Sequence, residues 1–250
     1  TVTKDWQDGP AGDSIRQGTQ IEVELLANDQ PTGDVATLEA GAWSHTWTGL
    51  DQTDAQGDAI TYSVRETSGH ADYRAAITYS GGAAADEHGV QLGAGAGQGA
   101  TATVTNSVVA QELLLKKVDP AGQALNGSVF TLTNDGDPAD VQTIVPEKGL
   151  AVAMLPGVVY TLEETRAPAL YVNRGVIGKY TVKGGAVVRV GDDGPEAILD
   201  PQSEVWTLSV ENRLPEVYSS DFGLAIYKTL TGPTPADFEE TFKFQIEYTG

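Results

Sequence analysis

The sequence predicts an all-β chain built as tandem β-sandwiches. Three observations carry this prediction: short runs rich in β-branched and aromatic residues, turn-forming clusters between them, and an ordered set of polar strand residues that occurs twice. No apolar pattern of helical period extends beyond two turns. Many short strands with regular turn signals mean a sandwich or barrel.

The chain opens on Val2-Thr3-Lys4-Asp5-Trp6, an alternating strand closed by the turn cluster Gln7-Asp8-Gly9-Pro10. Strands follow at 20–26, 60–64 and 102–105. A new opening strand, Leu115-Lys116-Lys117-Val118-Asp119, precedes strands at 129–132, 158–162, 187–190 and 206–210. Asn134-Asp135-Gly136-Asp137-Pro138 and Gly191-Asp192-Asp193-Gly194-Pro195 are the turn clusters of this second stretch. A third lysine strand, Leu224-Ala225-Ile226-Tyr227-Lys228, is followed by the alternating run Thr241–Tyr248. Such a pair of strands is marginal alone in water, so it is read as the opening hairpin of a further, truncated domain.

Composition narrows the function classes. Fifteen basic against thirty-five acidic residues give a net charge of −20, which repels phosphate backbones and excludes a nucleic-acid partner. No apolar run reaches the 18 residues of a spanning helix, so no membrane insertion is expected. The chain has no cysteine, which excludes disulfides, thiolate metal sites and a cysteine nucleophile. Thr1-Val2-Thr3 already reads as strand, with no leader before it, so the chain is read as a piece of a longer exported protein.

The polar strand residues set the organisation. Lysine strands open both long segments, glutamates lie in Tyr62-Ser63-Val64-Arg65-Glu66 and Tyr160-Thr161-Leu162-Glu163-Glu164, and asparagines close Val104-Thr105-Asn106 and Val210-Glu211-Asn212. Strand residues two apart share a face. Glu66 therefore points with Val64, Glu164 with Leu162, Asn106 with Val104 and Asn212 with Val210, each toward the side its apolar neighbours must bury. Such groups are costly in an apolar core unless they pair or react. Lys4 and Lys117 are 113 positions apart, Glu66 and Glu164 98, and Asn106 and Asn212 106, so loops vary while the order stays. The expected domains are 1–110 and 111–214, with 215–250 a linker and the opening of a third. Alternation alone leaves Lys116 and Lys117 both open as the inward lysine.

On these pieces, residues 1–107 resemble the collagen-adhesin B-type (Cna B-type) repeat of Gram-positive surface proteins: Thr3-Lys4-Asp5-Trp6, Trp47-Thr48-Gly49-Leu50, the Glu66 strand and Val104-Thr105-Asn106-Ser107. Residues 112–213 resemble its pilin-backbone (SpaA-like) version, through Lys117-Val118-Asp119, Leu125–Leu132, Leu155-Pro156-Gly157, the Glu164 strand, Ala167-Pro168 with Tyr171, and Val210-Glu211-Asn212. The family's Lys-Val-Asp pattern selects Lys117. Leu170 stands where a glycine before the tyrosine is usual, which touches only a turn conformation.

The resemblance implies tandem Ig-like (Cna B-type) sandwiches, each closed by an amide between Lys and Asn on its first and last strands. It pairs Lys4 with Asn106 and Lys117 with Asn212, with Glu66 and Glu164 as promoters of the bond. Lys228 is the corresponding lysine of the third unit. Burial would lower the lysine and raise the glutamate pKa, leaving a nucleophilic amine, a polarised carboxamide and a proton carrier. The reading is a structural stalk of a cell-wall-anchored adhesin or pilus subunit, not an enzyme beyond this single turnover. The runner-up is a module that grips a host protein or glycan through end loops. A glycoside hydrolase would need a facing carboxylate pair, and nothing in the sequence selects one.

Other motifs are weaker. Gly95-Ala96-Gly97-Gln98-Gly99-Ala100 meets a dinucleotide glycine pattern but precedes a strand, and the run from Gly81 to Gly99 is read as a loop. His45, His70 and His88 lack ligand spacing, and no metal or cofactor is expected. The acidic sets Asp5, Asp8, Asp13 and Asn134, Asp135, Asp137, Asp140 match no helix-loop-helix calcium loop. Asn126-Gly127-Ser128 is a sequon lying in a turn, and Leu214-Pro215-Glu216-Val217 is read as linker. Trp6, Trp43, Trp47 and Trp206 are read as packing residues.

Overall fold

A computed structural model describes residues 1–9, 12–93 and 99–214. The expected hairpin with Lys228, and the centre of the Gly95–Ala100 run, lie outside the described residues.

The first unit runs through β1 (Val2–Gln7), the short helix α1 (Gly12–Ile15), β2 (Ile21–Ala27), β3 (Gln30–Leu38), β4 (Ser44–His45), β5 (Thr61–Glu66), β6 (Tyr73–Gly81), β7 (Ala84–Asp86), β8 (Gly89–Gln91) and β9 (Ala100–Val108). One sheet has the order β4-β1-β9-β6 and the facing sheet β3-β2-β5-β8-β7. The second unit repeats the plan with β10 (Gln111–Val118), β11 (Val129–Asn134), β12 (Asp137–Ile144), β13 (Val152–Met154), β14 (Val159–Arg166), β15 (Gly175–Lys183), β16 (Ala186–Val190), β17 (Ile198–Asp200) and β18 (Val205–Glu211). Its sheets are β13-β10-β18-β17 and β12-β11-β14-β15-β16. The chain is all-β, in two sandwich-like units.

Alternation along each strand fills the gap between facing sheets. In β10 the burial pattern makes Leu113, Leu115 and Lys117 inward. In β18 it does the same for Leu208 and Val210. The second core gathers these apolar residues with Phe130, Leu132, Leu162 and Tyr180. The first gathers Val2, Ile21, Val23, Leu38, Val64 and Val104. Fully burying each such side chain stabilises by about 1.5–3 kcal/mol. The tryptophans pack as read: Trp6, Trp43 and Trp47 against the first core and Trp206 against the second. The Trp6 ring meets the edges of Trp43 at 5.4 Å and Tyr73 at 5.0 Å.

In each unit the first and last strands lie side by side in parallel: β1 with β9 and β10 with β18. The other strand pairings among the described residues are antiparallel, as in β6 with β9 and β11 with β14. Parallel neighbours need a long crossover, and here nearly the whole unit supplies it.

Several strands went unread in the sequence because their exposed residues blur the alternation. β12 begins inside a turn cluster, at Asp137-Pro138, and all but its last few residues are exposed. It is an edge strand, where proline costs no ladder bond. Leu170, at the position where glycine is usual, takes φ +74° and leaves its side chain 82% exposed. The turn keeps its left-handed residue without the glycine.

Candidate crosslinking sites

The parallel ladder fixes the relation between lysine and asparagine. Lys4 stands opposite Val104 and Trp6 opposite Asn106. Lys117 stands opposite Val210, and Asn212 follows two residues on. Residues two apart share a face, so both lysines and both asparagines point into their sandwiches, diagonal to one another across adjacent strands. The offset is identical in the two units although the loops between differ in length.

Burial agrees with this geometry. Lys4, Lys117, Asn106 and Asn212 are all buried, whereas Lys116 and Glu163 are exposed. The glutamates come from the facing sheets, Glu66 at the end of β5 and Glu164 within β14. Glu164 is fully enclosed and Glu66 half-buried. Each unit thus brings together the three residue types that the sequence analysis singled out.

In the second unit, Asn212 Nδ2 donates to Glu164 Oε1 at 2.9 Å and Oε2 at 3.0 Å. Lys117 Nζ donates to the Val210 carbonyl at 2.9 Å and lies 3.8 Å from Glu164 Oε1. The backbone N–H of Arg174 donates to Glu164 Oε2 at 2.9 Å. In the first unit, Asn106 Nδ2 donates to Glu66 Oε1 at 3.1 Å, and Lys4 Nζ donates to the carbonyls of Val104 at 3.1 Å and Asp5 at 3.2 Å. The Lys4 ammonium also sits 4.3 Å from the Trp6 ring centroid. Trp6 is two residues from Lys4 on one strand, a signal the alternation already contained. The Arg174 contact comes from the loop after β14 and has no counterpart in sequence spacing.

Both asparagine Oδ1 atoms are buried without a partner, as is Glu66 Oε2. A buried unpaired carbonyl costs about 1–3 kcal/mol. Exchanging the two ends of either carboxamide would turn Oδ1 to the glutamate, a contact that needs the carboxyl protonated. Burial pulls both lysines down from 10.5 to about 8, against the opposing charges of Glu66 on Lys4 and Glu164 on Lys117. Burial thus shifts both lysines toward the neutral, nucleophilic amine.

The remaining candidates have ordinary partners. Asp8 is paired with Arg16 at 2.6 Å and accepts from the Tyr73 hydroxyl at 3.3 Å. Asp135 is held by Lys179 and Thr161, each at 2.6 Å. His45 meets Trp47 edge-to-face, and His70 meets Tyr73 in the same way. Among the described residues, no group of three or more His, Cys, Asp or Glu is arranged to hold a metal ion, and no helix is long and apolar enough to cross a membrane. One end of the first sandwich has a cavity of about 280 Å³ lined by Trp47, Leu50, Tyr62 and Tyr79.

Comparison with known proteins matches residues 1–91 to the Cna protein B-type domain family and residues 111–191 to the SpaA prealbumin-like fold domain family. The first unit is thus similar to the Cna B-type domain and the second to the prealbumin-like domain. The collagen adhesin of Staphylococcus aureus is 46% identical to the chain over 67 residues, which are 26% of this chain and 6% of that protein. The crystal structure of two B repeat units of the S. aureus collagen-binding protein is 22% identical, covering 78% of this chain and 50% of its own, with a TM-score of 0.35. The C-terminal fragment of the pilus adhesin SpaC from Lactobacillus rhamnosus GG is 14% identical, covering 88% and 98%, with a TM-score of 0.42. The chain therefore spans only a small part of the length of the collagen adhesin.

Proposed function

We propose that these tandem domains are a non-enzymatic stalk segment of a Gram-positive surface adhesin or pilus subunit, locked by Lys4–Asn106 and Lys117–Asn212 amide bonds. The reading takes the domains as 1–110 and 111–214, with 215–250 opening a further one that contains Lys228. The observation that carries it is the repetition: buried lysine and asparagine at the same offset on parallel first and last strands, with a glutamate reaching across from the facing sheet, in both domains.

The neutral lysine amine adds to the asparagine Cγ, and the glutamate carboxyl protonates and polarises the carboxamide oxygen. The same carboxyl then moves a proton from the attacking nitrogen to the departing one. As the Cγ–Nδ2 bond breaks and ammonia leaves, the carbonyl re-forms and its oxygen returns the proton to the carboxylate, so atoms balance without any co-reactant. Asparagine is a poor electrophile, and the fixed contact in the folded core supplies the effective concentration. The amide ties first strand to last, so tension along the stalk loads a covalent bond rather than a hydrogen-bonded ladder.

The matched families and relatives support an extracellular surface location and, as partners, a host matrix protein or neighbouring pilin domains. These relatives do not extend the reading to a glycan partner. Intact mass spectrometry tests the crosslinks. The purified chain should be lighter than its sequence by two ammonias, and Glu66→Gln and Glu164→Gln should each restore one. A chain at its full sequence mass would refute both bonds.

A further inference from the structure

The two domains meet at a joint whose parts neither the crosslink chemistry nor the core explains. Between β9 and β10 lie only Val109 and Ala110. Two free residues would act as a hinge, since small intra-chain interfaces leave relative domain motion as the default. The cores do not merge here. A cleft of about 410 Å³, lined by Ile15, His70, Asp72, Thr181 and Lys183, separates the domains instead.

Asp72, in the loop between β5 and β6, is 4% exposed. Its carboxylate accepts the backbone N–H of Gly184 through Oδ2 at 2.9 Å and that of Gly185 through Oδ1 at 2.7 Å, both across the domain boundary. Gly184 and Gly185 form the two-residue turn of the β15–β16 hairpin, with φ of +62° and +74°. A turn with two left-handed residues leaves consecutive N–H groups unused by the ladder and presents them as an anion-binding concavity. Gly185 packs against Ala71, whose Cβ and carbonyl would both lie 3.4 Å from a Cβ added there, in van der Waals contact. The Asp72 carbonyl meanwhile accepts the N–H of Val109 at 2.9 Å, fastening the linker itself. His70 Nδ1 accepts the Asp72 N–H at 3.3 Å and holds the loop.

We propose that Asp72 is the pin of a rigid interdomain joint. Its side chain grips the hairpin of the prealbumin-like domain while its backbone grips the linker, so the tandem moves as one rod. A buried carboxylate with two backbone donors has a directional demand that apolar contact lacks. The occupant of the turn's N–H pair is therefore specific to an acidic residue at this place in the preceding domain.

The absence of cysteine makes the test clean. Val35→Cys and Val141→Cys place one spin label on an exposed site of each domain, and pulsed dipolar spectroscopy reads their separation. The full chain should give one narrow distance peak. Asp72→Ala should lose that peak to a broad distribution while the two-ammonia deficit from its own sequence mass and the melting of each domain stay unchanged. Asp72→Asn, which keeps the shape but offers a donor where an acceptor is needed, should also broaden it, and it decides the matter if the alanine variant misfolds. A broad distribution in the unsubstituted pair, or a narrow one in a folded Asp72 variant, would overturn the proposal. Because mass reports the crosslinks separately, failure of the joint and failure of the crosslinks are distinguishable.

Discussion

Glu164→Gln isolates the crosslink from the packing around it. Gln fills the volume of Glu164, its Oε1 can accept the Arg174 N–H, and its amide can donate to Asn212 Oδ1, which has no partner now. What it cannot do is carry a proton between nitrogens. The amide from Lys117 to Asn212 closes 96 residues, and a covalent closure of that length is worth about 4.7 kcal/mol by the chain-entropy model. For a domain of this size each kcal/mol moves the midpoint by about 4–8 °C, so its loss lowers the melting temperature of the second domain by about 20–35 °C. The unreacted, buried Lys117 amine adds to the fall, because burial penalises its charged form and the substitution removes the Glu164 charge that offsets this. Calorimetry of the variant beside its intact mass gives both readouts, with the first domain as internal control. A Glu164→Gln chain that has still lost both ammonias refutes the proton-carrier role. A chain that has regained one ammonia yet melts unchanged shows that ordinary packing holds the domain.

Two further predictions follow from the same coordinates. In Glu164→Gln the free Lys117 binds a proton more tightly when unfolded than when folded. Without the Glu164 charge its folded pKa lies below the value of about 8 it has beside that carboxylate, so stability should rise with pH from below about 8 up to 10.5. The crosslinked chain has no amine there to titrate and should lack that rise, which melting curves at stepped pH would reveal. Leu170→Gly should stabilise the second domain by about 0.5–1 kcal/mol, because relief of a left-handed leucine outweighs the entropy of glycine. The Leu170 side chain is 82% exposed and contributes little packing. Chemical denaturation would read the change, and a loss of stability would mean that Leu170 makes contacts its exposure does not suggest.

The all-β architecture, the turn clusters and the inward set of each strand were legible in the sequence because strand alternation has a period of two and acts locally. That period alone aligned Glu164 with Leu162 and Asn212 with Val210, and it predicted the side of the sheet on which each would lie. It left Lys116 and Lys117 open, since neither neighbour is disallowed by alternation, and only the fold buries Lys117 and exposes its neighbour. Edge strands such as β12 escaped because water on one side relaxes the apolar demand. Alternation carries nothing about distant residues meeting. That first and last strands join and that each glutamate serves them came only from the family resemblance. The parallel register, the glutamate's arrival from the facing sheet and the grip of Asp72 on a hairpin more than a hundred residues away came only from the fold. Pairing is a property of the closed sandwich, and chain order carries no record of which surfaces will touch.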